Sequence, residues 1–233
     1  MHTDNESAHS LISRAGLDPQ AGSPRKTATG RWAWGLSVVL HPLLLPTYLF
    51  LLLFTLSPAL LGVANAGVRY RILLLLAVCT FVIPILSIYM LFRLGSIQSL
   101  EMDDRQDRVF PFISTTLFYV LTTYLFIKNL SALYLLTIIM GSVTASLAAV
   151  TLVSFYWKIS AHSVGIGGIA GCLLGLYYHH AAVEYFYPVL LTIILAGLLT
   201  SARLYLNAHT PAQVLAGVAV GLGVNLSAIL IFA

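Results

Sequence analysis

The sequence predicts an all-α, polytopic transmembrane helical bundle with six to seven spans, and two observations carry that prediction. Of 233 residues, 59% are hydrophobic and only 9% are charged, with a mean hydropathy of +0.91. A soluble domain averages roughly 45–50% apolar and about 25% charged residues. So few charges cannot solvate a globule with this much apolar surface, which excludes a soluble enzyme. The apolar residues also fall into runs of the length a bilayer requires, roughly 20 residues per spanning helix.

Residues 1–31 are polar, rich in Ser, Gly and Pro, and lack a hydrophobic period, so they read as a disordered tail before a membrane domain over 32–233. The first apolar run is too long for a signal-peptide core and has no small-residue cleavage pattern close behind it, so it is expected to stay as an anchor. Seven segments are expected to span: 34–57, 70–92, 110–127, 131–157, 163–180, 186–206 and 210–232. His41, Pro42 and Pro46 predict a kink in the first, where His41 reads as structural. The segment 163–180 is short enough to be half of a broken element. Cys79 and Cys172 each sit inside an apolar run and read as inert buried thiols.

Two segments carry ridges of small residues at four-residue spacing: Ser163, Gly167, Gly171 and Gly175, and then Gly217 and Gly221. Such ridges let helix backbones approach closely and favour a compact bundle, leaving a homo-oligomer open. Extending the second ridge gives Gln213 and His209 in one direction and Asn225 in the other, all on one helix face. Polar groups on a bundle-facing stripe in a membrane point to function.

Counting spans brings the polar clusters together. With the tail on one side of the membrane, the second, fourth and sixth spans each return the chain to that side. The loop 93–109, the stretch 158–162 and the stretch 203–209 then share one face. That face holds nine of the twelve Lys and Arg: Arg14, Arg25, Lys26, Arg31, Arg93, Arg105, Arg108, Lys158 and Arg203. The other side holds Arg69, Arg71 and Lys128. An excess of cations marks the cytoplasmic side, here expected to be that of a bacterial inner membrane. The net charge of +4 comes with no basic helix or aromatic-basic platform, so nucleic acid is not an expected partner.

Each cluster suits an anion. Arg105 and Arg108, three apart, project from one side of a helical turn and can fork onto phosphate oxygens. Ser160 and His162 open a helix, where Ser is a natural cap and free backbone N–H groups favour negative charge. Arg203 ends one helix and His209 precedes Pro211 at the start of the next.

Arg203, five residues, His209 and a polar residue four further on resemble the third signature of the type 2 phosphatidic acid phosphatase superfamily, Ser-Arg-x5-His-x3-Asp. Ser160-Ala161-His162 resembles the second, Pro-Ser-Gly-His, and the run ending Arg108-x2-Pro111 resembles the first, Lys-x6-Arg-Pro. The likeness covers roughly residues 93–225 in the family's order. It implies hydrolysis of a lipid or isoprenoid phosphate without metal or cofactor. His209 would be the nucleophile that becomes a phosphohistidine, and His162 would protonate the leaving oxygen. Arg105, Arg108, Ser160 and Arg203 would hold the phosphoryl oxygens, and Gln213 would position the nucleophilic ring.

The chain departs from the family pattern at several places. Gln213 stands where the family has Asp: an amide can hold an imidazole N–H but adds no charge to stabilise a protonated or phosphorylated ring. Ala161 replaces Gly, Ile159 replaces Pro, Ser201 is one place too far from Arg203, and Glu101 stands where the first signature has Lys. A lipid-phosphate binder or transporter on the same scaffold is therefore the principal alternative. Asp103, Asp104 and Asp107 match the Asp-Asp-x2-Asp pattern of Mg²⁺-diphosphate enzymes. The only later acid, Glu184, falls on the opposite side and leaves that chemistry without its second cluster. His179, His180 and Glu184 sit among Tyr177, Tyr178, Tyr185 and Tyr187 and read as part of an interfacial aromatic belt.

Overall fold

The computed structural model describes residues 27–100, 102, 106–130 and 133–233, and among these every regular element is helical. The helices are α1 (Ala28–Val39), α2 (Leu45–Leu56), α3 (Ala66–Arg93), α4 (Gln106–Asn129), α5 (Tyr134–Ser154), α6 (Ala161–His179), α7 (Phe186–Tyr205) and α8 (Pro211–Phe232). A 3₁₀ turn at Val183–Tyr185 leads into α7. Helices α3 to α8 are each long and apolar enough to cross a membrane. Leu74, Leu117, Leu121, Leu191 and Ile194 lie exposed on their outer faces, a surface that hydrocarbon rather than water solvates. The chain is a polytopic all-α integral membrane protein.

The first traverse differs from the single kinked span expected over 34–57. Its helix begins inside the stretch 1–31 read as tail, because the Thr27 hydroxyl accepts the Gly30 N–H at 3.0 Å and caps α1; residues 1–26 lie outside the described residues. Helix α1 then stops at Val39. The residue before a proline avoids helical dihedrals, and His41 precedes Pro42. The chain turns there, with Leu44 N–H donating to the His41 carbonyl at 2.8 Å and Leu43 N–H to His41 Nδ1 at 3.3 Å. Helix α2 restarts with Pro46 in its first turn, where a missing N–H costs nothing. Thr27 Oγ1 lies 3.1 Å from the Tyr205 hydroxyl at the end of α7, whereas the Ser57 hydroxyl donates to Glu184 just before α7 starts. Helices α1 and α2 thus join the two ends of α7, and the first traverse is a broken helix. The segment 163–180, expected to be a candidate half-element, is instead the unbroken α6, with 67% of an 18-residue stretch of it buried inside the protein.

Helix α3 contains a π-turn at Val78–Val82, with Ile83 N–H donating to the Val78 carbonyl. Pro84 has no N–H for the Thr80 carbonyl, and the Tyr119 hydroxyl of α4 donates to that carbonyl at 3.2 Å. Helices α4 and α5 are tied by hydroxyl pairs at membrane depth, Thr116 with Thr151 and Thr123 with Thr144, each at 2.7 Å.

The two small-residue ridges pack against each other, α6 on α8. A β-carbon on Gly167 would stand 2.6 Å from the Val218 carbonyl oxygen, and one on Gly217 would stand 2.8 Å from that of Ser160. One on Gly221 would overlap the Val164 carbonyl. The stripe continues to the buried Asn225, whose Nδ2 donates to Ser146 Oγ and the Gly221 carbonyl at 2.9 Å while its Oδ1 accepts Ser142 Oγ–H at 2.7 Å. That amide locks α8 to α5 where an unpaired polar group would be costly. Gly221→Leu is expected to abolish the monodisperse folded peak in detergent. Gly223→Leu, with no atom within 4 Å of its β-carbon position, is expected to leave it intact; equal behaviour of the two variants would contradict the packing.

Candidate active site

The polar clusters meet at one end of the bundle, where α4, α6 and α8 begin and α7 ends. A backbone bond from Ser160 N–H to the Gln213 carbonyl, 3.4 Å, joins the start of α6 to that of α8. Asp107 accepts the Gln98 N–H at 3.1 Å, and Arg108 Nε–H donates to the Met102 carbonyl at 2.7 Å. These bonds hold the loop before α4 against the bundle and leave Arg108 only 6% exposed. Arg105 lies outside the described residues, as do Glu101, Asp103 and Asp104. Of the Asp-Asp-x2-Asp pattern only Asp107 is described, and it serves this loop.

His209 occupies the junction between α7 and α8. Thr210 caps α8 and forms a reciprocal capping box with Gln213. Gln213 Oε1 accepts the Thr210 N–H at 3.2 Å, which identifies that atom as the amide oxygen, and it also lies 3.1 Å from His209 Nδ1. A carbonyl oxygen only accepts, so Nδ1 carries the hydrogen and Nε2 keeps its lone pair. One glutamine thus caps a helix and sets the tautomer of His209.

His209 is 8% exposed, and its pKa is lowered to about 3. Burial is the main cause, followed by the Arg108 charge; the Gln213 bond opposes the shift, and Arg203 and Lys158 lower it further. The ring is therefore neutral near pH 7. Between about pH 3 and the ordinary value of 6.5 the unfolded chain binds the proton that the folded chain refuses. This contribution is full above pH 6.5 and is lost as pH falls towards 3. In ¹⁵N-histidine NMR spectra His209 is expected to stay neutral with Nε2 unprotonated from pH 7 to about pH 4.5; a midpoint near the ordinary value would contradict the enclosure.

His162, in the first turn of α6, places Nε2 3.0 Å from the Ser37 carbonyl of α1. Its ring meets that of His41 edge-on, with centroids 5.7 Å apart. The Arg203 charge acts on His41, His162 and His209. Ser160 caps α6, its Oγ accepting Ser163 N–H at 3.3 Å and Ser163 Oγ–H at 2.9 Å. It is fully enclosed, at 0% exposure. Both bonds use acceptor positions of the Ser160 hydroxyl, so its own hydrogen is not part of the cap.

Beside the polar cluster lies an apolar cavity of about 70 Å³, bounded by Pro42, Leu45, Tyr119, Val150, Ala161 and Asn225 among others. Its polar wall groups are satisfied within the protein, Asn225 on Ser146 and Tyr119 on Thr80. It runs from the residue next to His162 to the middle of α8, and its chemistry suits hydrocarbon.

Comparison with protein-family models, with curated proteins and with solved structures finds no match. The structure thus places Arg108, Ser160, His162, Arg203, His209 and Gln213 at one end of the bundle. Two groups absent from the sequence-derived site join them. Lys158 is near enough for its charge to act on His209, and its place immediately before the second cluster was the signal for it. The Ser37 carbonyl with His41 had no such signal, since a backbone oxygen is invisible in sequence.

Proposed function

We propose that this protein is a membrane phosphatase that hydrolyses a lipid or isoprenoid phosphate through a phosphohistidine, without a metal or other cofactor. The observation that carries this is the His209 imidazole, neutral, held at Nδ1 by Gln213 and surrounded by the charges of Arg108, Arg203 and Lys158. The Nε2 lone pair attacks phosphorus, and the bond to the alkoxide oxygen breaks as the P–N bond forms. His162 supplies the proton to the departing oxygen, and water then cleaves the phosphohistidine. Phosphoryl transfer depends mainly on positioning and on neutralising charge on the equatorial oxygens. Arg108, Arg203 and Lys158, with Arg105, provide that neutralisation. Ser160 contributes through the α6 cap, which leaves the first N–H groups of that helix directed towards an anion.

The cavity beside His162 supports a hydrocarbon-bearing substrate, and membrane lipid surrounds the bundle. The site is assigned to the cytoplasmic face of a bacterial inner membrane, on the nine-of-twelve cation bias. The assay is phosphate release by purified protein in vesicles containing phosphatidate or an isoprenyl phosphate, with release expected and its loss in His209→Ala. The neutral Gln213, at the place of a carboxylate, favours one alternative: a protein that binds or moves a phosphorylated lipid without cleaving it. Saturable binding with no release would establish that alternative instead.

A further inference from the structure

The break in the first traverse faces the site. Three features of it converge on His162. Helix α1 stops before His41–Pro42, so its last carbonyls have no helical partner, and one of them, that of Ser37, meets His162 Nε2 at 3.0 Å. His41 Nδ1 accepts the Leu43 N–H at 3.3 Å, which fixes that ring in the turn with its hydrogen on Nε2. The fixed ring then stands edge-on to His162, with an interplanar angle of 79°. Below them Leu45, the first residue of α2, packs against α6 at Gly165, where a β-carbon would stand 2.5 Å from Leu45 Cδ1.

We infer that the His41–Pro42 break is a positioning device for His162, in which the Ser37 carbonyl holds Nε2–H and His41 braces the ring, so that Nδ1 is the atom that exchanges the proton. The inference rests on the phosphatase assignment above. A carbonyl cannot donate, so Nε2 carries its hydrogen throughout and is unavailable for transfer. In the forward step the Nδ1 hydrogen of the imidazolium passes to the alkoxide oxygen as the P–O bond breaks and the P–Nε2 bond to His209 forms. His162 is left neutral, and Nδ1 then takes a proton from the water that cleaves the phosphohistidine. The C-terminal end of α1 carries partial negative charge, which offsets part of the repulsion between the imidazolium and the Arg203 cation. His41 touches neither substrate nor reacting atoms and is a positioning residue.

The test compares two substrates in the full chain. A lipid monophosphate has a strongly basic leaving oxygen that needs the proton, whereas p-nitrophenyl phosphate has a weakly basic one that does not. His41→Leu removes the acceptor for Leu43 N–H and the edge contact. It is expected to lower kcat for the lipid substrate about tenfold or more, while kcat for p-nitrophenyl phosphate changes less than about threefold and KM stays within about twofold for both. His41→Gln, whose amide oxygen can accept the same N–H, is expected to restore most of the loss. Equal loss on both substrates, or no loss on either, would overturn the assignment of His41. In ¹⁵N-histidine NMR spectra of the intact protein, the neutral form of His162 is expected as the Nε2–H tautomer, and Pro42→Ala as weakening that preference. A wild-type Nδ1–H tautomer would overturn the device whatever the activity. If wild type turns over neither substrate, the phosphatase assignment fails, while the tautomer still decides the positioning.

Discussion

His209→Ala is expected to reduce phosphate release from a lipid monophosphate by about 10⁴-fold or more, while binding of the same lipid changes by less than about tenfold. The asymmetry follows from the geometry. Arg108, Arg203 and Lys158, which neutralise the phosphate, remain when the ring is removed, so ground-state binding survives. The lone pair at Nε2, which only the Nδ1–H tautomer provides, does not survive. His209→Gln, similar in size and uncharged, is expected to show the same loss with undisturbed folding. A loss confined to KM would mean that His209 binds the substrate and does not react with it.

The second large effect concerns Gln213. Gln213→Glu is expected to raise kcat by about tenfold or more, because a carboxylate on Nδ1–H stabilises the positive charge that the ring acquires when Nε2 bonds to phosphorus. Glutamate also suits the same position in the capping box, so α8 should start unchanged with the N–H of Thr210 still bonded. Gln213→Ala removes both bonds and is expected to lower kcat by about 10²-fold through misorientation of the ring. The pair is measured by steady-state kinetics on a lipid monophosphate, with helix content checked by circular dichroism. Glu no faster than Gln would mean that charge behind the nucleophile does not limit the reaction.

Much of this arrangement is legible in the sequence because membrane spans obey a counting rule. Once seven crossings are assigned, parity alone sends Arg108, His162 and His209 to one face, and in the structure the Arg108 charge acts on His209. The four-residue spacing of Gly167, Gly171, Gly217 and Gly221 likewise marks the helices that approach most closely, although not that they pair with each other. Other features depend on partners that have no sequence signature. Pro42 and Pro46 signal a disturbance, but a kink and a full break look alike until Ser57 and Thr27 are seen at opposite ends of α7. Ser160 reads as both cap and ligand, and the structure shows the cap. The Ser37 carbonyl and the Thr80 carbonyl answer to His162 and Tyr119 through backbone atoms that every residue carries.

The central claim is that Nε2 of His209 becomes bonded to phosphorus. It is tested most directly by incubating the purified protein in vesicles with a ³²P-labelled lipid monophosphate, quenching in alkali within one turnover, and locating the label by peptide mapping. A label on the peptide containing His209 that survives alkali, is released by mild acid and is absent in His209→Gln is the expected result. Phosphate release at full rate with no label on histidine would contradict it.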